Sequence, residues 1–79
     1  MNVVEQVITE AEQELAKGKK TAAARLLTDA AYRTRDPKEA AAILELAEQG
    51  RSQAGLFGKG RWNEVIRVAT ARMNGAQAA

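Results

Sequence analysis

The chain contains no cysteine and no histidine. It therefore offers no disulfide framework, no Cys/His zinc site, no haem ligand of either type and no Cys or His nucleophile chemistry. Proline occurs once, and Trp, Tyr and Phe once each. Strands favour β-branched and aromatic residues, so their scarcity argues against a sheet. No stretch reaches the roughly 18 apolar residues of a membrane span. The opening "MNVVEQVITEAEQ" has neither the basic start nor the sustained apolar run of a secretory signal. The expectation is a soluble cytoplasmic protein with no membrane partner.

What the sequence does have is alanine. Of the 36 apolar residues among 79, 17 are alanine. Alanine is the best helix former, and its small side chain lets helix backbones approach closely. The large apolar residues are too few for a thick core, and a chain of this length buries only about 60–65% of its unfolded surface. Self-association into a homodimer that buries more apolar surface would suit so small a core. The high alanine and arginine content would suit a GC-rich bacterial or phage genome.

Net charge is only +2, but its layout is ordered. Residues 1–16 carry −4, 17–35 carry +5, 36–50 carry −3 and 51–79 carry +4. Each block coincides with a helical pattern. Val4, Val7, Ile8, Ala11 and Leu15 fall at i, i+3, i+4, i+7 and i+11, one face of a first helix. Asn2 and Glu5 form a capping box at its start, and Gly18 ends it. Ala23, Leu26, Leu27, Ala30 and Ala31 stripe a second helix that stops before Asp36-Pro37. That pair, with Glu39, starts a third helix, with the N-cap at Asp36 and proline at the first helical position. Its stripe is Ala40, Ile43, Leu44 and Ala47, and it ends at Gly50 or runs on to about Gln53. Trp62, Val65, Ile66, Ala69 and Met73 stripe a fourth, closed by Asn74-Gly75. Trp62 on that stripe reads as a core anchor.

The expected fold is all-α: four helices as two antiparallel helical hairpins, because the connections are short. Residues 1–75 form the single helical domain and 76–79 a flexible C-terminal tail. Within it, "GLFGKGRWNEVI" (55–66) invites comparison with a phosphate-binding loop. Such a loop needs a preceding strand and a Ser or Thr after Gly-Lys. Here Gly58-Lys59 is followed by Gly60 and preceded by a helix, so the stretch reads as a helix–helix turn.

Aligning Gly18 with Gly60 places "KGKKTAAARLLT" (17–28) on "KGRWNEVIRVAT" (59–70), with four identities at an offset of 42 residues. "GRWNEVI" followed by Ala69 is similar to the opening of the second helix of a tetratricopeptide repeat, and "GKKTAAARLLTDAAYRTRDP" resembles that helix through to the repeat's closing proline. The resemblance covers about half the chain. The offset exceeds that family's repeat of about 34 residues, and the Trp–Leu-Gly–Tyr signature of its first helix is missing here. The packing expected is a tetratricopeptide-like array or a small four-helix bundle.

No nucleophile–base pair can be assembled from these residues, so the expectation is a non-enzymatic protein–protein interaction module without cofactor or metal, and the resemblance implies its groove. The first helix of each pair would line a groove for a basic or amphipathic segment of another protein. Glu10, Glu14, Glu45 and Glu48 would contact it, with Leu56 and Phe57 at the end of the groove. The alternative is a small nucleic-acid-binding regulator using the basic second helices and Lys19, Lys20, Lys59 and Arg61. The bland reading of the alternating charges is neutralisation between neighbouring helices, each such pair contributing about 0–1 kcal/mol.

Overall fold

The computed structural model describes residues 2–55 and 58–75. The described residues form four helices: α1 (Val3–Ala16), α2 (Lys20–Arg33), α3 (Pro37–Gln53) and α4 (Lys59–Met73). They contain no strand, and the fold is all-α. No described helix is long and apolar enough to cross a membrane. The anticipated tail, 76–79, lies outside the described residues, as do Leu56 and Phe57.

The helix ends follow from local chemistry. Asn2 Oδ1 accepts from the Glu5 N–H at 2.8 Å, and the Asn2 N–H donates back to Glu5 Oε1 at 3.3 Å. This is the reciprocal capping box. At the other end of α1, Gly18 takes φ +81°. The Lys19 N–H reaches Glu14 O and the Gly18 N–H reaches Leu15 O, so the paired Schellman bonds satisfy the last carbonyls. Asp36 caps α3 by accepting from the Lys38 N–H at 2.9 Å, with Pro37 in the first turn.

Two further helix ends are closed by side chains from elsewhere in the fold. Lys20, at the start of α2, donates to the Gln53 carbonyl at the end of α3 at 2.7 Å. Arg72 of α4 donates to the Ala31 and Tyr32 carbonyls at the end of α2, at 3.2 and 3.0 Å. A cation at a helix C-terminus meets both unsatisfied carbonyls and the negative end of the dipole.

The helices pack as two layers. α1 packs on α2 and α3 on α4 most extensively, α1 also touches α3, α2 touches α4, and α1 and α4 do not meet. α1 and α3 thus share one layer and α2 and α4 the other, in a slab measuring 34 × 27 × 15 Å. α2 touches all three other helices. Its buried side chains are Ala23, Ala24, Ala30 and Ala31, with Leu27 alone being large. Small residues at the most crowded helix let its neighbours close in. Leu27, Ile43 and Val65 are the large apolar side chains with no exposed surface.

α3 runs through Gly50 without a break and ends at Gln53. Gly50 is buried against the indole of Trp62, which is itself only 2% exposed. A Cβ placed on Gly50 would lie 2.4 Å from two ring carbons of Trp62. The glycine is therefore the seat of the tryptophan rather than a helix terminator, and Trp62 is the core anchor that its stripe position suggests.

Candidate interaction surface

α1 and α3 are held side by side at their N-termini by the carboxylate of Glu39. Asn2 Nδ2, at the cap of α1, donates to Glu39 Oε2 at 2.9 Å. Thr34 Oγ1, in the link between α2 and α3, donates to Glu39 Oε1 at 2.8 Å. The Thr34 oxygen in turn accepts from the Asp36 N–H at 3.1 Å. In an ordinary capping box the acidic residue three positions after the cap binds the cap N–H directly. Here the bond is relayed through Thr34, a polar side chain buried to 1% exposure, which leaves the second oxygen of Glu39 for α1.

Replacing Glu39 with alanine removes the 2.8 Å acceptor of the buried Thr34 hydroxyl, leaves it only the 3.4 Å contact to the Asp36 carbonyl as donor, and releases Asn2. The expected loss is about 1–2 kcal/mol, read as a lower urea midpoint with an unchanged slope. Glu39→Gln keeps an acceptor for Thr34 and should recover much of that loss. Equal losses in the two variants would show that the relay contributes nothing.

Beside this clamp, an open groove of about 460 Å³ runs between α1 and α3. Ile8 and Ala42 supply its apolar surface, and Glu5, Asp36, Lys38 and Glu39 line its rim. All three acids, Glu5, Asp36 and Glu39, also serve as caps or clamps. Composition and spacing mark Glu5, Asp36 and Glu39 only as helix-start signals. Their convergence on one groove follows from how α1 and α3 pack.

The carboxylates expected to contact a partner are not gathered in that groove. Glu10 and Glu14 line a separate depression with Arg25 and Leu26, between α1 and α2. Glu48 lines another, with Arg51, Ser52 and Lys59. Glu45 is exposed on α3. None of the grooves described here joins the two Glu pairs. Glu14 forms an ion pair with Lys17 at 3.5 Å. Glu10, Glu12, Glu45 and Glu48 are exposed and join no ion pair among the described residues.

Opposite charges of neighbouring helices share depressions, Glu10 and Glu14 with Arg25 and Glu48 with Lys59, without closing an ion pair between helices among the described residues. Among the described residues the ion pairs are Lys17–Glu14 at i,i+3 and Arg33–Asp29 at i,i+4, both local in sequence. Each layer keeps its own sign. Four glutamates give α1 −4, and Lys38 and Arg51 against Glu39, Glu45 and Glu48 give α3 −1, so the layer carries −5. Lys20, Arg25 and Arg33 against Asp29 give α2 +2, and Lys59, Arg61, Arg67 and Arg72 against Glu64 give α4 +3, so the other layer carries +5.

On the basic side, Lys20 and Arg61 line one depression between the N-terminal ends of α2 and α4, with Gly55, Gly58 and part of Trp62. Neither helix start has a side-chain cap. Lys19 is exposed, and Lys59, also exposed, lines the depression with Glu48 instead. Lys20 is already engaged with the Gln53 carbonyl. Among the described residues, no three acidic side chains converge as a metal ion would need.

Comparison with family models, curated protein sequences and solved structures finds no match to this chain.

Proposed function

We propose that the chain is a small non-enzymatic interaction module that presents its α1/α3 layer to a basic or amphipathic segment of another protein. The observation that carries this reading is the set of exposed carboxylates, Glu10, Glu12, Glu45 and Glu48, that join no ion pair among the described residues. The groove between α1 and α3 adds apolar surface at Ile8 and Ala42 for such a segment's other face. In the tetratricopeptide-like reading, the first helices of the two hairpins line the groove, and α1 and α3 are those helices. The reading is non-enzymatic because the chain has neither histidine nor cysteine. Its one buried hydroxyl among the described residues, on Thr34, is engaged with Glu39.

The test is fluorescence anisotropy with a labelled synthetic peptide, a Lys-rich amphipathic helix. Rim charges are individually weak, so the combined change Glu10→Lys, Glu45→Lys and Glu48→Lys should weaken binding about tenfold. Unchanged affinity in that variant overturns the proposal.

A second reading, nucleic-acid binding through Lys19, Lys20, Lys59 and Arg61, is favoured by the depression at the starts of α2 and α4 that Lys20 and Arg61 share. It is weakened by the commitment of Lys20 to the α3 terminus. Retention of an oligonucleotide at low salt, lost on neutralising Lys19, Lys59 and Arg61, would favour it over the first.

A further inference from the structure

We infer that the acidic α1/α3 layer of one copy docks on the basic α2/α4 layer of a second copy. This rests on the reading of the α1/α3 layer as a docking face, and it names the partner. Opposite charges of equal size, −5 and +5, lie on the two layers of one thin slab. Among the described residues no ion pair joins the two layers, although Glu10 shares a depression with Arg25 and Glu48 shares one with Lys59. The charges left over on the two layers are also matched in kind. Beyond the depressions that Glu10 shares with Arg25 and Glu48 with Lys59, Glu12 and Glu45 are exposed on one, and Arg61 and Arg67 are exposed on the other.

Shape and size fit the same partner. The molecule extends 34 × 27 Å along its two longer axes, large enough to hold the ~800 Å² that each side of a standard specific interface buries. The contact joins different surfaces on the two copies, so it is head-to-tail. It leaves a free acidic layer at one end and a free basic layer at the other. Growth beyond a dimer follows unless the geometry closes a ring. Attraction between exposed charges falls off over a Debye length, about 8 Å at physiological salt and about 30 Å at 0.01 M. Association is therefore strongest at low ionic strength.

Sedimentation velocity on the full chain tests this. In about 20 mM NaCl the mass should exceed the 8.5 kDa of one chain, and in about 300 mM it should return to it. One variant reverses the acidic layer with Glu10→Lys, Glu12→Lys, Glu45→Lys and Glu48→Lys. A second reverses the basic layer with Arg25→Glu, Lys59→Glu, Arg61→Glu and Arg67→Glu. Each alone presents two faces of like sign and should stay monomeric at low salt. Mixed, they should form a joint species. Helical circular dichroism of both variants confirms that they are folded.

A wild-type chain that stays monomeric at low salt, with variants that do not combine, overturns the inference. Should the wild type then still bind the basic peptide, only the choice of a second copy has failed and the docking face stands. Self-association with the expected variant behaviour, by a chain that does not bind the peptide, upholds the inference and removes the reading of a separate protein as partner.

Discussion

Replacing Gly50 with alanine is expected to destabilise the fold, although the same change in an exposed helix stabilises it. Glycine costs a helix interior about 1 kcal/mol relative to alanine, so propensity alone predicts a gain. The position is not exposed. The new methyl would sit 2.4 Å from Cη2 and Cζ2 and 2.6 Å from Cζ3 of the Trp62 ring. That is more than an ångström inside ordinary van der Waals contact, at about 3.5–4.0 Å. The indole is buried to 2% exposure and cannot swing away without displacing its neighbours. Overpacking of this kind costs about 1–3 kcal/mol. The strain exceeds the propensity gain, and the net effect should be a melting temperature lower by several degrees. For a domain this small, about 4–8 °C accompanies each kcal/mol. A thermal melt followed at 222 nm reads the sign directly. A rise in melting temperature would mean that the ring has a second packed position and that Gly50 is not its seat.

This case marks the boundary of what the sequence discloses. The caps are local, so Asn2–Glu5, Gly18 and Asp36-Pro37 identify their helix ends from residues within a few positions of one another. The apolar stripes are periodic, so Ala11, Leu15, Leu27, Ile43, Val65 and Trp62 emerge as core from spacing alone. Gly50 differs because its meaning is set by a ring 12 residues further on, across a turn. In one dimension a glycine near the end of a stripe is a terminator. Thr34 is similar: a threonine in a short link carries no sign of the carboxylate it will meet.

The surface was legible in charge but not in grouping. The alternating blocks show acidic and basic helices in turn, and the packing of α1 with α3 and of α2 with α4 gathers each sign into one layer. Which acids share a groove depends on the rotation of α1 about its axis. That rotation turns Glu5 and Ile8 toward α3 and Glu10 and Glu14 toward α2. Lys20 and Arg72 read as part of a basic face. Their hydrogen bonds to the α3 and α2 termini depend on contacts 33 and at least 40 residues apart in sequence. Leu56 and Phe57, expected at the groove's end, lie outside the described residues.

Trp62→Ala should have the largest effect of any single change in this chain. It empties the space of a nearly fully buried indole that belongs to the same core cluster as Ile43, Val65 and Ala69. Such truncations cost about 3–5 kcal/mol. Native domains hold only about 5–15 kcal/mol in total, and small ones lie at the low end. The variant should be substantially unfolded at 37 °C, with its urea midpoint shifted far below that of the parent. The only tryptophan is gone, so the readout is far-ultraviolet circular dichroism rather than fluorescence. The decisive comparison comes from combining the two changes. With the indole removed, the methyl of Gly50→Ala no longer meets a ring and partly fills the space left behind. In that background it should regain its propensity advantage and stabilise by about 0.5–1 kcal/mol. One substitution with opposite signs in the two backgrounds is a coupling that only direct contact between residues 50 and 62 explains. If Gly50→Ala destabilises both backgrounds equally, the cost lies in the α3 backbone, and the tryptophan owes its position to other contacts.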